Sequence, residues 1–369
     1  MSFFNKHIYI IPEVDRFFYL HVDALINKAG IAPESFCAIF ITDDKNKTVN
    51  GYPGVEYINS QLVDFSELQS AKTITSLSLN SFNSAFIAEL INFNESVVDK
   101  FYIFITDDEV DRWDRIYQEF GSLKAISDLH ISNDDLFVLS KAYKFIGLEI
   151  IFKNTIERVL GRQVEFINSG CIFDILLCKD HNHIKNNIIF DKNKKEKRIW
   201  FHTKNIIGGS NDIKKLVDAY ISFAKVFDNN IHFVVFVNNI KTFLYINIAI
   251  LYLKKVKKLP VKIDILNHTD QYSYMQQLAT CDFLILQPRG GASTARSLIK
   301  IGRGMVCTLE GTKNNFGFEK GYKVPVIKGD SYLSLAQQAK DEKFDITASA
   351  LILAKKEQES LSRYKELYK

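Results

Sequence analysis

The sequence predicts an α/β protein of two domains, each a parallel sheet covered by helices. Three observations carry this reading. Short runs rich in Val, Ile and Phe alternate with amphipathic segments of helical length, the order that parallel strands and their crossovers require. At 369 residues the chain is too long for one ordinary core. The alternation breaks once, in the lysine-rich stretch CKDHNHIKNNIIFDKNKKEKR (178–198), and then restarts. These observations place an N-terminal domain over 1–185, a second domain over 186–345 and a C-terminal helix over 346–369, for which a return to the first domain is left open.

In the first half the expected strands are HIYII (7–11), FCAIFIT (36–42), VEYI (55–58), FYIFIT (101–106) and LEIIF (148–152). Helices are expected over 15–28, 82–93, 109–120 and 134–144. Two strands end in the same tetrad, Ile41-Thr42-Asp43-Asp44 and Ile105-Thr106-Asp107-Asp108. In the second half RIWFHTK (198–204) reads as a strand, NIIGGSN as a loop and 212–227 as a helix with Ile213, Leu216, Val217, Tyr220 and Phe223 on one face. IHFVVFV (231–237) is the next strand, followed by a helix over 242–256, a strand VKIDILN (261–267) and a short helix 272–281. DFLILQP, ASTARSLIKIG and GMVCTLE (304–310) then read as strand, helix and strand. The end of the chain, 331–369, reads as helices with a charged tail.

A hydrophobic fraction of 47% against 24% charged residues is globular rather than disordered composition. The net charge of +4 is too small to point to nucleic acid and suits an anionic small ligand. The five cysteines are scattered, without CxxC spacing, and read as buried small hydrophobes of a reducing compartment. The N-terminus lacks a signal-peptide pattern, and no stretch of ~18 apolar residues is present to span a bilayer. A cytoplasmic protein is expected, with the inner face of the membrane as a site of peripheral contact. RFFYLHVDALI (16–26) reads as an amphipathic helix that faces either the core or such a surface.

The chemistry-bearing stretches lie where strands of the second half run into helices. One strand ends at His202-Thr203-Lys204 and continues through Gly208-Gly209-Ser210-Asn211. Another ends in Gln287-Pro288-Arg289-Gly290-Gly291 and continues through Ser293-Thr294. Glycines let backbone approach a ligand, and the free N–H groups and positive dipole end of the next helix favour a phosphate. Arg289 or Lys204 would add charge, Ser293 and Thr294 hydroxyl donors. The competing reading is that Ser or Thr merely caps the helix. Neither loop is a Walker A or a GxGxxG fingerprint. His268, Glu310 and Asn314 follow strands of the same domain and are candidates for the nucleotide base, the ribose or the sugar hydroxyls.

Paired Gly-containing loops in the second of two Rossmann-like domains resemble the GT-B class of nucleotide-sugar glycosyltransferases. NIIGGSND, YSYMQQLATCDFLIL, GGASTARSLIKIGRGMVCTL, NNFGF (314–318) and KVPVI (323–327) are similar in order to the bacterial 4-acetamido-4,6-dideoxygalactose transferase family. That family transfers the sugar from a TDP donor in enterobacterial common antigen synthesis. The likeness covers roughly a third of the chain, from about 198 to 330. It implies that the second domain binds the donor through Lys204, Gly208, Gly209, Ser210, Asn211, His268, Arg289, Gly290, Gly291, Ser293, Thr294, Glu310 and Asn314. The expected partners are a TDP- or UDP-sugar, or a CMP-sugar, and a glycan or lipid-linked acceptor in surface polysaccharide (O-antigen type) synthesis. Neither a cofactor nor a metal is required, since Arg, Lys and helix N-termini stabilise the leaving diphosphate.

The first domain would then supply the acceptor site and a base for the acceptor hydroxyl. Asp107 and Asp108 are the candidates. They resemble the Asp-Asp strand ends of some bacterial GT-B sialyltransferases, except that Glu109 stands where those carry glycine. Helix capping and dipole stabilisation would account for Asp108 and Glu109 without catalysis. Asp43 and Asp44 precede a loop-like stretch and are the weaker pair. His181 and His183 lie in the lysine-rich stretch and form no metal-ligand pattern with a partner. Two further readings stay open: a nucleotide-sugar epimerase of similar fold, and a non-catalytic binding protein on a degenerate GT-B body.

Overall fold

A computed structural model describes residues 3–13, 16–106, 108–168, 173–187, 195–203, 210–237, 239–267, 269–341 and 345–368. The chain forms two compact units, one of residues 1–172 with 358–369 and one of residues 173–357.

Unit 1 holds strands β1 (His7–Pro12), β2 (Phe36–Ile41), β3 (Glu56–Asn59), β4 (Thr73–Leu77), β5 (Phe101–Phe104), β6 (Lys144–Gly147) and β7 (Glu165–Asn168). Its helices are α1 (Arg16–Asn27), α2 (Ser84–Phe93), α3 (Asp108–Phe120), α4 (Asn133–Lys141) and α5 (Glu149–Leu160). The strands pair in parallel in the order β3-β2-β1-β4-β5-β6-β7. A parallel sheet is covered on both faces, so its strands are apolar without alternation, and five consecutive residues of β1 are buried. α1 faces the core: Phe18, Val22, Ala24 and Leu25 are buried, and Phe17 alone of its large apolar residues is prominently exposed.

The end of the chain contributes to this core. Tyr364 and Tyr368 are buried, and the Tyr368 ring meets His7 edge-on at 4.7 Å and Phe36 at 5.6 Å. The Tyr9 hydroxyl bonds both Tyr368 and, at 2.8 Å, His21 Nε2. Burial holds both imidazoles neutral, lowering His7 to about 4 and His21 to about 3.

Unit 2 holds β8 (Lys197–Phe201), β9 (Ile231–Val237), β10 (Ile263–Asn267), β11 (Phe283–Ile285), β12 (Met305–Leu309) and β13 (Ile327–Gly329). Its helices are α6 (Cys178–Asn187), α7 (Ser210–Val226), α8 (Ile240–Lys255), α9 (Gln271–Ala279), α10 (Ala292–Ile301), α11 (Lys313–Phe316), α12 (Tyr332–Asp341) and the larger part of α13 (Ile346–Leu367). The parallel strand order is β10-β9-β8-β11-β12-β13. Phe201, Phe223, Phe233 and Phe283 are fully or almost fully buried in its core, each stabilising the unit by ~2–3 kcal/mol relative to an exposed ring.

The element expectations need several corrections. LEIIF is not a strand but the residue before α5 and its first turn, and the strand is Lys144–Gly147 just ahead. The apolar residues continue at helical spacing, with Phe152, Ile156 and Val159 buried, so the short run belonged to a longer stripe. β4 and β7 were not expected, because TITSL and EFIN carry polar residues. In β4 these are buried: Thr73 Oγ1 bonds His7 Nδ1 at 3.0 Å. Residues 178–187 of the lysine-rich stretch form α6.

Candidate functional site

In each sheet the strand order reverses once, between β1 and β4 in unit 1 and between β8 and β11 in unit 2. Adjacent loops leave such a point toward opposite faces of the sheet and open a crevice beyond the strands' carboxyl ends. The two Gly-containing loops of the second half follow β8 and β11, the strands on either side of the reversal. They are tied together where they begin: the backbone N–H of His202 donates to the carbonyl of Ile285 at 3.0 Å.

The β11–α10 turn is fully described. Gly290 and Gly291 both have φ of +78°, a backbone that L side chains rarely adopt. Gly291 is also sterically bound to be glycine, since an added Cβ would stand 2.8 Å from the His202 ring. Gly291 is the N-cap residue of α10, and no side chain caps the helix. The capping alternative therefore fails here: Ser293 and Thr294 lie inside the first turn rather than ahead of it. Helix geometry leaves the N–H groups of Ala292, Ser293 and Thr294 without intrahelical partners, at the positive end of the dipole and with no acidic residue in the turn.

A second element shapes this turn. Asn314, buried on α11, donates from Nδ2 to the carbonyls of Gln287 (2.7 Å) and Gly290 (2.8 Å) and from its backbone N–H to that of Pro288 (3.0 Å). Three carbonyls of the turn are thus drawn onto one residue. An anion site needs its carbonyls turned aside, and the two Nδ2 hydrogens and the backbone N–H of Asn314 do that. Gln287 is 7% exposed, and its Nε2 is a buried donor with no hydrogen-bond partner among the described residues. Such a donor marks a place where a ligand oxygen would be stabilised.

The remaining predicted residues fall as follows. Arg289 is half-buried in the turn, and Ser293 is partly exposed. Thr294 is buried, with its hydroxyl against Tyr274, whose ring packs edge-on to Trp200 (4.8 Å) and Phe236 (5.2 Å). Glu310 is exposed just beyond β12, with its N–H on the carbonyl of Gly329. Lys204, Gly208, Gly209 and His268 lie outside the described residues. Ser210 and Asn211 open α7, with side chains outside the description. Asp270 caps α9 through Ser273, beside Thr269 Oγ1 and Gln271 Nε2, two more buried groups without hydrogen-bond partners among the described residues.

In unit 1, Asp107 lies outside the described residues, and Asp108 is the first residue of α3, its side chain likewise undescribed. Glu109 is settled. It is fully buried, and its carboxylate accepts two hydrogen bonds from Thr106, from the backbone N–H (2.6 Å) and from Oγ1 (2.9 Å). Burial raises its pKa, against those hydrogen bonds. Asp43 and Asp44 are exposed in a turn, where Asp44 Oδ1 accepts from Asn46 N at 2.9 Å.

Sequence reasoning missed two features. One is Gln287, which reads as a strand end. The other is Ser78, at the strand reversal of unit 1, whose φ of +64° is held by Asn83 Nδ2 on its carbonyl (3.1 Å) and by its N–H on Phe104 O (2.9 Å). Its only signal was a serine following an unrecognised strand. Among the described residues no group of three or more His, Cys, Asp or Glu is placed to hold a metal ion.

No protein-family model matches the chain, and no curated protein matches it in sequence. Solved structures match its fold over nearly its whole length. A glycosyltransferase from Rickettsia africae aligns at a TM-score of 0.61 and 12% identity, covering 99% of this chain and 98% of that one. A trehalose-6-phosphate structure from E. coli bound with UDP-2-fluoro glucose aligns at 0.59 and 9% identity, covering 98% and 97%. HepE from Anabaena in complex with UDP-glucose aligns at 0.55 and 12% identity, covering 97% and 95%. Two parallel α/β units of seven and six strands with this likeness make the fold GT-B.

Proposed function

We propose that this chain is a metal-independent glycosyltransferase. It takes a sugar from a nucleotide-diphosphate donor and hands it to a glycan or lipid-linked acceptor in bacterial surface polysaccharide synthesis. The observation that carries the reading is the glycine-capped start of α10, left without a side-chain cap beside the strand reversal of unit 2, with three loop carbonyls held aside by Asn314. As the sugar–phosphate bond breaks, negative charge grows on the leaving diphosphate. The N–H groups of Ala292 and Ser293, the α10 dipole, Arg289 and Lys204 meet that charge, the work a divalent ion would otherwise do. Gln287 Nε2 offers a further neutral donor. Asp107 or Asp108 is the base that takes the proton of the acceptor hydroxyl, while the Glu109 carboxylate is held by its bonds from Thr106.

A uridine donor is favoured, because two structural neighbours carry UDP-sugars in their complexes. The likeness of residues 198–330 to the dideoxygalactose transferases supports TDP as the second choice. A thermal-shift screen against UDP, TDP, GDP and CMP tests the reading. A ligand at a hundred times its Kd stabilises the native state by ~2.7 kcal/mol, so UDP or TDP should raise Tm by several degrees and CMP by less. No shift from any nucleotide at millimolar concentration would eliminate the donor site. Conversion of a UDP-sugar to its epimer without acceptor would replace transfer with epimerisation.

A further inference from the structure

The helix α8 has two apolar faces where a globular helix has one. Thr242, Ile246, Ala249 and Leu253 are buried in unit 2. On the other side Ile240, Leu244, Ile248 and Leu251, spaced four, four and three residues apart, are 54–72% exposed, and Tyr252 and Val256 extend the stripe. Over 16 residues such a stripe is about 24 Å long, more than scattered surface leucines produce.

The charge around it is one-sided. Between Asp228 and Asp264 the sequence has no acidic residue and six lysines, Lys241, Lys254, Lys255, Lys257, Lys258 and Lys262. Lys262 pairs with Glu196, whereas Lys254, Lys255, Lys257 and Lys258 are exposed and form no ion pair among the described residues. Lys257 Nζ lies 5.7 Å from the Tyr252 ring centroid, at the edge of the stripe. An apolar stripe fringed by lysines and flanked by tyrosine has the chemistry of a helix lying in the headgroup layer of an anionic bilayer. The aliphatic residues enter the acyl boundary and the lysines reach lipid phosphates.

We infer that α8 with the following lysines 254–258 is a membrane-docking face of unit 2, specific for anionic lipid. A second copy of this chain is the poorer occupant. Pairing two such faces would bring lysines against lysines, with no acid on either segment to compensate. The inference does not depend on the donor site and holds or fails separately from it.

The test is co-sedimentation of the full chain with phosphatidylglycerol and with phosphatidylcholine vesicles, at low salt and at 0.5 M salt. Wild type should pellet with phosphatidylglycerol at low salt and stay in solution with phosphatidylcholine. Ile248→Asp/Leu251→Asp, and separately the Lys→Gln change at 254, 255, 257 and 258, should each weaken partitioning by roughly tenfold or more. Because all six residues are exposed, Tm and UDP binding should be unchanged, which separates loss of docking from loss of fold. Absence of pelleting with phosphatidylglycerol, or equal pelleting of wild type and both variants, overturns the inference. So does a wild-type dimer in light scattering that the Ile248→Asp/Leu251→Asp change makes monomeric, since the stripe would then be a protein interface.

Discussion

Asn314 lies 24 residues beyond Gly290 in sequence, yet its side-chain amide and backbone N–H take up three carbonyls of the β11–α10 turn. Its place in the site was legible, because NNFGF follows the last long strand, but its role was not. A sequence shows an asparagine near a loop and cannot show that its hydrogens are committed to carbonyls. Gly291 was legible as a glycine that some turn requires. That His202 closes the space over it belongs to the fold. Asn314→Ala removes two buried hydrogen bonds and should cost ~2 kcal/mol in chemical denaturation of unit 2. Asn314→Asp should cost more, because a carboxylate would then face two carbonyl oxygens. A measured loss below ~0.5 kcal/mol for both would mean that the turn holds its shape without this residue.

At the scale of elements, His7 on β1, His21 on α1 and the tyrosines after residue 358 meet in one buried cluster. The unfolded imidazoles titrate near 6.5, while burial keeps the folded ones neutral down to about 4 for His7 and about 3 for His21. Between those values the unfolded chain binds protons that the folded chain does not. The stabilisation is therefore complete above pH 6.5 and is lost as pH falls from 6.5 toward 4 and below. Unit 1 should lose on the order of a few kcal/mol over that window, and His21→Gln should flatten the lower part of the curve. A pH-independent Tm between 7 and 4.5 in the wild type would refute this. Element types were legible where an apolar period was long, as in α7 and β9. They failed where a short run was ambiguous, as in LEIIF, and where polar strand residues were buried beside partners supplied from elsewhere, as in β4. The T-x-x-E spacing of Thr106 and Glu109 was present in the sequence, and in the fold the N–H and hydroxyl of Thr106 both donate to the Glu109 carboxylate.

For the whole molecule, the alternation of strands and helices carried the two-unit parallel architecture, and the strand reversal of unit 2 set β8 and β11, the strands that precede the Gly-containing stretches, side by side. The spatial order β10-β9-β8-β11-β12-β13 is not written in any segment, since it depends on which crossovers run to which side. The exposed stripe of α8 was hidden for the opposite reason: in sequence its leucines and isoleucines read as core. The proposed function rests on the start of α10 cradling a nucleotide diphosphate. Isothermal calorimetry of the full chain with UDP tests it, using wild type, Gly291→Val and Arg289→Ala. The valine intrudes on the cradle and the alanine removes the Arg289 guanidinium, so a folding defect in the first leaves the second to decide. A cradle at α10 predicts a single UDP site in wild type, weakened at least tenfold by either substitution, an effect of ~1.4 kcal/mol or more. Equal UDP affinity in all three proteins would contradict it.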